Sequence, residues 1–241
     1  MNRKVRGGLA LTSCLLVVGL LARTSIRDLA LRCYGMWRVA HSPHSALPPL
    51  KPASQKAATI LAAAKTQIGT RYDASYQTIA YPMGDVKGDR GACTDVVIRA
   101  LRKAGYDLQE LIHDDMTQNW SAYPHQWGLA KPNSDIDHRR VPNQITYFRR
   151  HAQALPLDTQ GAHLKTWQPG DIVEWNLSQG GKLLHTGIVS DARNAQGEPF
   201  VVHNGSVCVE ADVLTRWRII GHFRVPASTS TKPRSTKTHG N

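Results

Sequence analysis

The sequence lacks the spacings that announce a tightly held metal: its cysteines fall in no paired pattern and no HExxH motif occurs. Cysteine is scarce altogether, with Cys14, Cys33, Cys93 and Cys208 the only four. No run interleaves arginine with aromatic residues, which makes nucleic acid a poor partner, and no internal repeat is present. No apolar run reaches the ~20 residues of a membrane-spanning helix. Acidic residues are few, 18 against 30 Lys and Arg, for a formal charge of +12. The placement of that excess tempers its meaning. Segment 1–22 supplies +3 through Arg3, Lys4 and Arg6, segment 227–241 supplies +3 through Lys232, Arg234 and Lys237, and the middle keeps +6. A modestly basic middle is compatible with an anionic polymer such as cell-wall peptidoglycan.

What is present begins with an export signal. Arg3, Lys4 and Arg6 precede an apolar run over 9–22, the length of a secretory h-region. Leu20 and Arg23 suit a cut after Ala22 poorly, so 1–22 reads as a signal peptide or an uncleaved signal anchor. The expected location is the periplasm, free or tethered to the inner membrane. The string Leu11-Thr12-Ser13-Cys14 looks like a lipoprotein box, but the apolar run continues past Cys14 instead of ending there. In an oxidising compartment Cys33 and Cys208 are available to pair, leaving Cys93 as an odd thiol.

Residues 23–52 are punctuated by Pro43, Pro48, Pro49 and Pro52 and read as a linker with one short helix near 26–37. A domain is expected over 53–226, and the Ser/Thr/Lys-rich 227–241 as a disordered basic tail. Ser54 caps a predicted helix to about Ile68, closed by Gly69. Val96, Val97, Ala100, Leu101 and Ala104 keep helical spacing over 92–104, ahead of Gly105. Further helices are predicted over 108–120 and from Pro142 to about His151. After Pro156 the short β-branched and aromatic runs 171–177, 183–190, 199–204 and 217–225 read as strands. Helices first and antiparallel strands second describe an α+β domain.

Cys93 falls where a Gly-containing loop turns into a helix, among unpaired amides and the positive end of the dipole. That setting favours a thiolate, and comparable positions bring a cysteine pKa to ~3.5–7.5; a small buried hydrophobe is the alternative. A nucleophilic cysteine needs an imidazole in reach and a third group to orient it. A hairpin centred on residue 194 sets His185 opposite His203 on one face, with His185 as base and His203 as orienting residue. Asn204 points the other way and is the reserve for that role.

These strings resemble the NlpC-type, papain-like peptidases and amidases of bacterial cell walls. In that family a Gly-Thr/Ser-Pro-Tyr turn, a nucleophile in Asp-Cys-Ser-Gly, a Pro-Gly-Asp-Leu-Val strand, a His-Val-Gly-Ile strand and a strand with a third polar residue follow one another. Here IGTRYD (68–73), GACTDVV (91–97), QPGDIVEW (168–175), HTGIVSD (185–191) and VVHNG (201–205) stand in that order, across about 150 residues. Ala92 stands where the family has Asp, Thr94 follows the nucleophile, and Asp95 comes two places after it. A closer likeness is to the bacterial domain-of-unknown-function family 1287, which has similar strings to GACTDVVIRALR, DHRRVPN, PGDIV, HTGIVSD and RIIGHFR.

The resemblance to the NlpC-type enzymes implies a papain-like fold and acyl transfer through Cys93, His185 and His203 on a peptide or amide bond of the cell envelope, with peptidoglycan stem peptides the expected substrate; the likeness to family 1287 implies a fold and not a substrate, and no cofactor is expected. The NlpC-type resemblance implies a place for Tyr72 near the oxyanion, beside the Cys93 amide. Asp95 reads as a first-turn cap, or as a group binding a substrate amine. Arg139 and Arg140 are expected at the cleft rim, paired with substrate carboxylates. Two other readings compete: a metal-assisted hydrolase using Asp135, Asp137 and His138 with His113, Asp114 and Asp115, and a catalytically silent module that binds wall peptides. Trp120, Trp127, Trp167, Trp175 and Trp217 are expected in the core or cleft wall.

Overall fold

The computed structural model describes residues 47–179 and 183–226. The expected signal at 1–22, the helix near 26–37, Cys14, Cys33 and the tail 227–241 lie outside the described residues.

Four helices of 11 residues each precede the main sheet. Ser54 caps α1 (Gln55–Lys65) by accepting from the Ala57 amide at 3.1 Å, and Gly69 at φ 92° turns the chain out of the following turns. The second, α2 (Cys93–Lys103), buries Val96, Val97, Ala100 and Leu101 and is followed by Gly105, also at φ 92°. Asp107 caps α3 (Leu108–Gln118) through the Gln109 amide, and Pro142 lies in the first turn of α4 (Val141–His151). The predicted third helix is two residues too long; a short 3-10 turn at Trp120–Ala122 takes over there.

The strands are β1 (Arg71–Tyr72), β2 (Arg90–Gly91), β3 (Gln153–Ala154), β4 (Ile172–Asn176), β5 (Leu184–Arg193), β6 (Pro199–Asn204), β7 (Cys208–Ala211) and β8 (Arg218–Arg224). The first two form a small parallel pair, and the other six form one antiparallel sheet ordered β3-β8-β4-β5-β6-β7. The architecture is α+β.

Side chains alternate across the sheet with period two. Ile172, Ile188, Val202 and Phe223 face the helices and join Ile60, Leu61, Val97, Leu101 and Phe148 in the main core. Val173, Trp175, Val189 and Val201 face the other way and are covered by Trp167, Val213 and Leu214. The β5–β6 register differs from the hairpin centred on residue 194. Ile188 pairs with Val202 and Val189 with Val201, and an irregularity between Val189 and Arg193 absorbs the difference. The offset is two residues, so His185 and His203 keep one face and become diagonal neighbours, still within reach of long side chains.

Both ends of the described region are tied down. The Leu50 amide donates to Asp191 O at 2.9 Å, and the Tyr106 hydroxyl donates to Pro226 O at 2.6 Å.

Candidate active site

Cys93 is the first residue of α2 and is 5 % exposed. The loop before it is shaped by Asp95, whose Oδ2 accepts from the Ala92 amide at 2.6 Å and closes the first turn. Gly91 makes room for that return, since a Cβ there would lie 2.9 Å from the Asp95 Cβ. Asn204 holds the same loop from the sheet, donating from Nδ2 to Gly91 O at 2.8 Å and to Thr70 O at 3.3 Å. It therefore anchors the nucleophile loop and does not orient a histidine.

The backbone amides of Thr186 and Thr94 are directed at the Cys93 sulfur. Thr186 follows His185 in β5, and Leu184, on its other side, packs against Cys93 with Val141, Ile145 and Ile220. Burial pushes the thiol up to about 12; the Thr186 amide opposes this and the charges of Glu174 and Asp95 add to it. The helix N-terminus does not deliver the expected thiolate: desolvation outweighs it, and the resting group is a thiol.

His185 and His203 meet on the opposite face from the main core, with His185 Nε2 2.9 Å from His203 Nδ1. Trp175 stands opposite His185 in the β4–β5 register and stacks against its ring at 5.8 Å, and Trp217 meets both rings edge-on. Burial pulls His185 down to about 4, so it is a neutral base at pH 7. Among the described residues no hydrogen bond joins the sulfur to either histidine. They are linked only through the strand: Thr186, whose amide is directed toward the sulfur, is the neighbour of the base in β5.

Tyr72 sits on β1 opposite Gly91, 43 % exposed at the mouth of this region. Burial, followed by the proximity of Cys93 and Asp95, raises its hydroxyl above the ordinary tyrosine value.

Arg139 is not at a cleft rim. Its side chain is 2 % exposed, grips Asp95 through Nε and Nη2 at 2.9 Å each, and donates to Ser75 O and Asp73 O. These bonds use four of the five N–H groups, and burial keeps the remaining one from meeting a substrate carboxylate at a rim. Arg140 donates from Nη1 to Asp137 Oδ1 at 2.9 Å and lies over the face of Trp127 at 4.0 Å, with its side chain 15 % exposed.

The acidic residues weighed as metal ligands are capping and pairing groups. Asp137 accepts from the Asn133 amide and from Arg140, Asp135 from Tyr76 and the Ile79 amide, and Asp115 from Tyr123, Asn119 and Arg150. Among the described residues no three His, Cys, Asp or Glu side chains converge on one point. Cys208, weighed for a disulfide, is a free thiol buried under the helices.

Sequence reasoning passed over Thr186, whose amide serves the sulfur, and Glu174, an acid in the middle of a central strand with 0 % exposure. The second carried a signal: Glu in the apolar run IVEW contradicts the burial of every neighbour.

Residues 60–225 match the family described as "Domain of unknown function (DUF1287)". The chain is also 48 % identical over 164 residues to the uncharacterized protein YijF of Escherichia coli (strain K12), a match covering 67 % of this chain and 78 % of that protein. The chain belongs to the DUF1287 family.

Proposed function

We propose that this chain is an exported cysteine hydrolase of NlpC-type, papain-like architecture, acting in the periplasm on a peptide or amide bond of peptidoglycan stem peptides. The observation that carries the reading is the joint placement of three groups. The Thr186 amide is directed toward the Cys93 sulfur, Thr186 adjoins His185 in β5, and His185 Nε2 lies 2.9 Å from His203 Nδ1. We assign the other nitrogen, Nδ1 of His185, to the thiol, to which no hydrogen bond joins it at rest. Hydrogen bonds of this kind are often long without substrate and tighten in the reacting complex.

The chemistry follows from the neutral resting pair. As a substrate carbonyl approaches, the Sγ proton passes to Nδ1 of His185 and the sulfur bonds to the carbonyl carbon. His203 accepts from Nε2 of His185 and steadies the imidazolium. The Cys93 amide, one of the N–H groups at the start of α2 without an intrahelical partner, and the Tyr72 hydroxyl hold the oxyanion. Collapse breaks the C–N bond, and the leaving amine takes its proton from His185. Water then releases the acyl group from sulfur with His185 again as base.

The test is digestion of purified peptidoglycan and of its isolated stem peptides by the protein and by Cys93→Ala, with products identified by mass spectrometry. New fragments from the parent alone support the reading. A second reading, a silent module that binds wall peptides, draws on the burial that holds Cys93 as a thiol. Binding of stem peptides without turnover, equal in parent and Cys93→Ala, would favour it.

A further inference from the structure

The helix-facing side of the sheet changes character over one step. One row across the strands is Phe223, Ile172, Ile188 and Val202, all in the main core. The next row is Gly221, Glu174 and Thr186, and the Ile188–Val202 register carried two residues on brings in Asn204. Glu174 and Thr186 are 0 % exposed and Asn204 is 1 % exposed. The nucleophile lies beside this polar row: Cys93 packs against Leu184 and Ile220, which adjoin the row, the Thr186 amide is directed toward its sulfur, and Asn204 holds Gly91 two residues before it.

Glu174 is the row's unexplained member. Neither carboxyl oxygen has a hydrogen-bond partner. The nearest polar side chain, Thr186, donates its hydroxyl to Val173 O at 3.2 Å. Gly221 opposite is the space the side chain uses, since a Cβ there would lie 3.0 Å from the Glu174 Cβ. An apolar side chain would fill this place without leaving two oxygens unpaired, so the carboxyl calls for a reason beyond packing. Its setting supplies one. Among charged groups Glu174 acts most strongly on the Cys93 thiol, ahead of Asp95 on the same helix turn. The Thr186 hydroxyl across the β4–β5 pair, close enough to favour the ionised form, and then the charge of Arg149 on α4 oppose burial at Glu174, and Gly221 on the other strand does not titrate.

We propose that Glu174 is a positioning residue for the reaction at Cys93: a carboxylic acid built into the sheet beside the nucleophile, whose proton must be in place for the thiol to ionise. Neutral, it leaves the sulfur free to gain charge as His185 takes the proton. Ionised, it sets a second negative charge in the same dry environment and opposes the thiolate. Burial keeps the carboxyl in its neutral form well above the ordinary range, which is the state the reaction requires. The inference rests on Cys93 as the reacting group, but its test does not require hydrolysis.

The test is the rate of iodoacetamide alkylation at Cys93 in the full chain, read by peptide mass mapping across pH, for the parent, Glu174→Gln and Glu174→Met. An isolated thiol below its titration gains about tenfold in rate per pH unit. In the parent this rise should fall short once Glu174 ionises, while Glu174→Gln follows it and exceeds the parent about tenfold at alkaline pH. Parallel profiles for parent and both folded variants would overturn the proposal. Should the variants fail to fold, the parent alone decides. The chain has four glutamates, Glu110, Glu174, Glu198 and Glu210, so the side-chain carboxyl signals of 13C-labelled glutamate can be followed singly. The Glu174 signal should move only well above the ordinary carboxyl range; a Glu174 signal that moves within that ordinary range would overturn the proposal. A Glu174-dependent alkylation profile with no peptidoglycan cleavage would fault the hydrolase reading alone.

Discussion

Replacing Arg139 with methionine removes the guanidinium from a pair in which both side chains are nearly inaccessible, 2 % and 3 % exposed, and leaves the Asp95 carboxylate facing Ala92 alone. Breaking a buried pair from one side costs about 3–5 kcal/mol. For a domain of this size each kcal/mol is worth ~2–4 °C, so the melting temperature should fall by roughly 6–20 °C. The double variant Arg139→Met/Asp95→Asn removes the stranded charge and keeps an acceptor for the Ala92 amide, and should recover at least half of the loss. Thermal and denaturant unfolding followed by circular dichroism give both numbers. A drop of less than about 1 kcal/mol in Arg139→Met, the size of a surface pair, would refute the reasoning. So would a double variant as unstable as the sum of the two singles. Had Arg139 met a substrate carboxylate at the rim, its loss would raise KM with stability intact.

Further expectations concern the nucleophile, the histidines and the strands that carry them. His185→Ala should slow labelling of Cys93 and any turnover by at least about 100-fold, as for loss of a general base, and unchanged labelling would remove His185 from the mechanism. Gly187→Ala places a Cβ 2.6 Å from Val201 Cγ1 and 2.9 Å from Val202 O, so β5 and β6 must part; circular dichroism melts should show a loss of about 1–3 kcal/mol. Stability should also fall above pH 9, because the folded thiols of Cys93 and Cys208 are pushed from 9 up to about 12 while the unfolded ones ionise. The slope approaches about 1.4 kcal/mol per pH unit for each thiol, and Cys93→Ala should remove one share of it. On the acid side His185 and His138 are held down to about 4, so the unfolded chain gains protons first and stability falls as pH drops from 6.5 towards 4. Urea melts across pH check both limbs.

Much of the fold could be read from the sequence where local chemistry and burial agree. Ser54, Gly69, Gly105 and Pro142 mark helix ends because caps, positive φ and a missing amide act within a few residues. The strands β4, β5, β6 and β8 announce themselves as apolar runs between turns. The two-residue strands β1, β2 and β3 carry too few side chains for a period, and β7 follows Ser206 too closely to stand apart from a loop. The hairpin register was out of reach because the irregularity after Val189 depends on tertiary packing.

The site divides in the same way. Cys93, His185 and His203 stood out because few side chains do such chemistry and their order was informative. The balance at Cys93 was not legible: the dipole is local, but desolvation depends on α4, Leu184 and Ile220, which arrive from other parts of the chain. Arg139 misled for a related reason. An arginine in a polar turn looks solvent-facing until the fold brings Asp95 to it from 44 residues away.

The most direct measurement is a search for the acyl-enzyme. The protein is incubated with peptidoglycan stem peptides, quenched in acid, digested and mapped by mass spectrometry, beside Cys93→Ala and His203→Ala. The account predicts an acyl adduct on the peptide containing Cys93 in the parent, none in Cys93→Ala, and slower formation in His203→Ala. Cleavage of the same peptides by Cys93→Ala at the parent's rate, with no adduct on Cys93 in any sample, would contradict it.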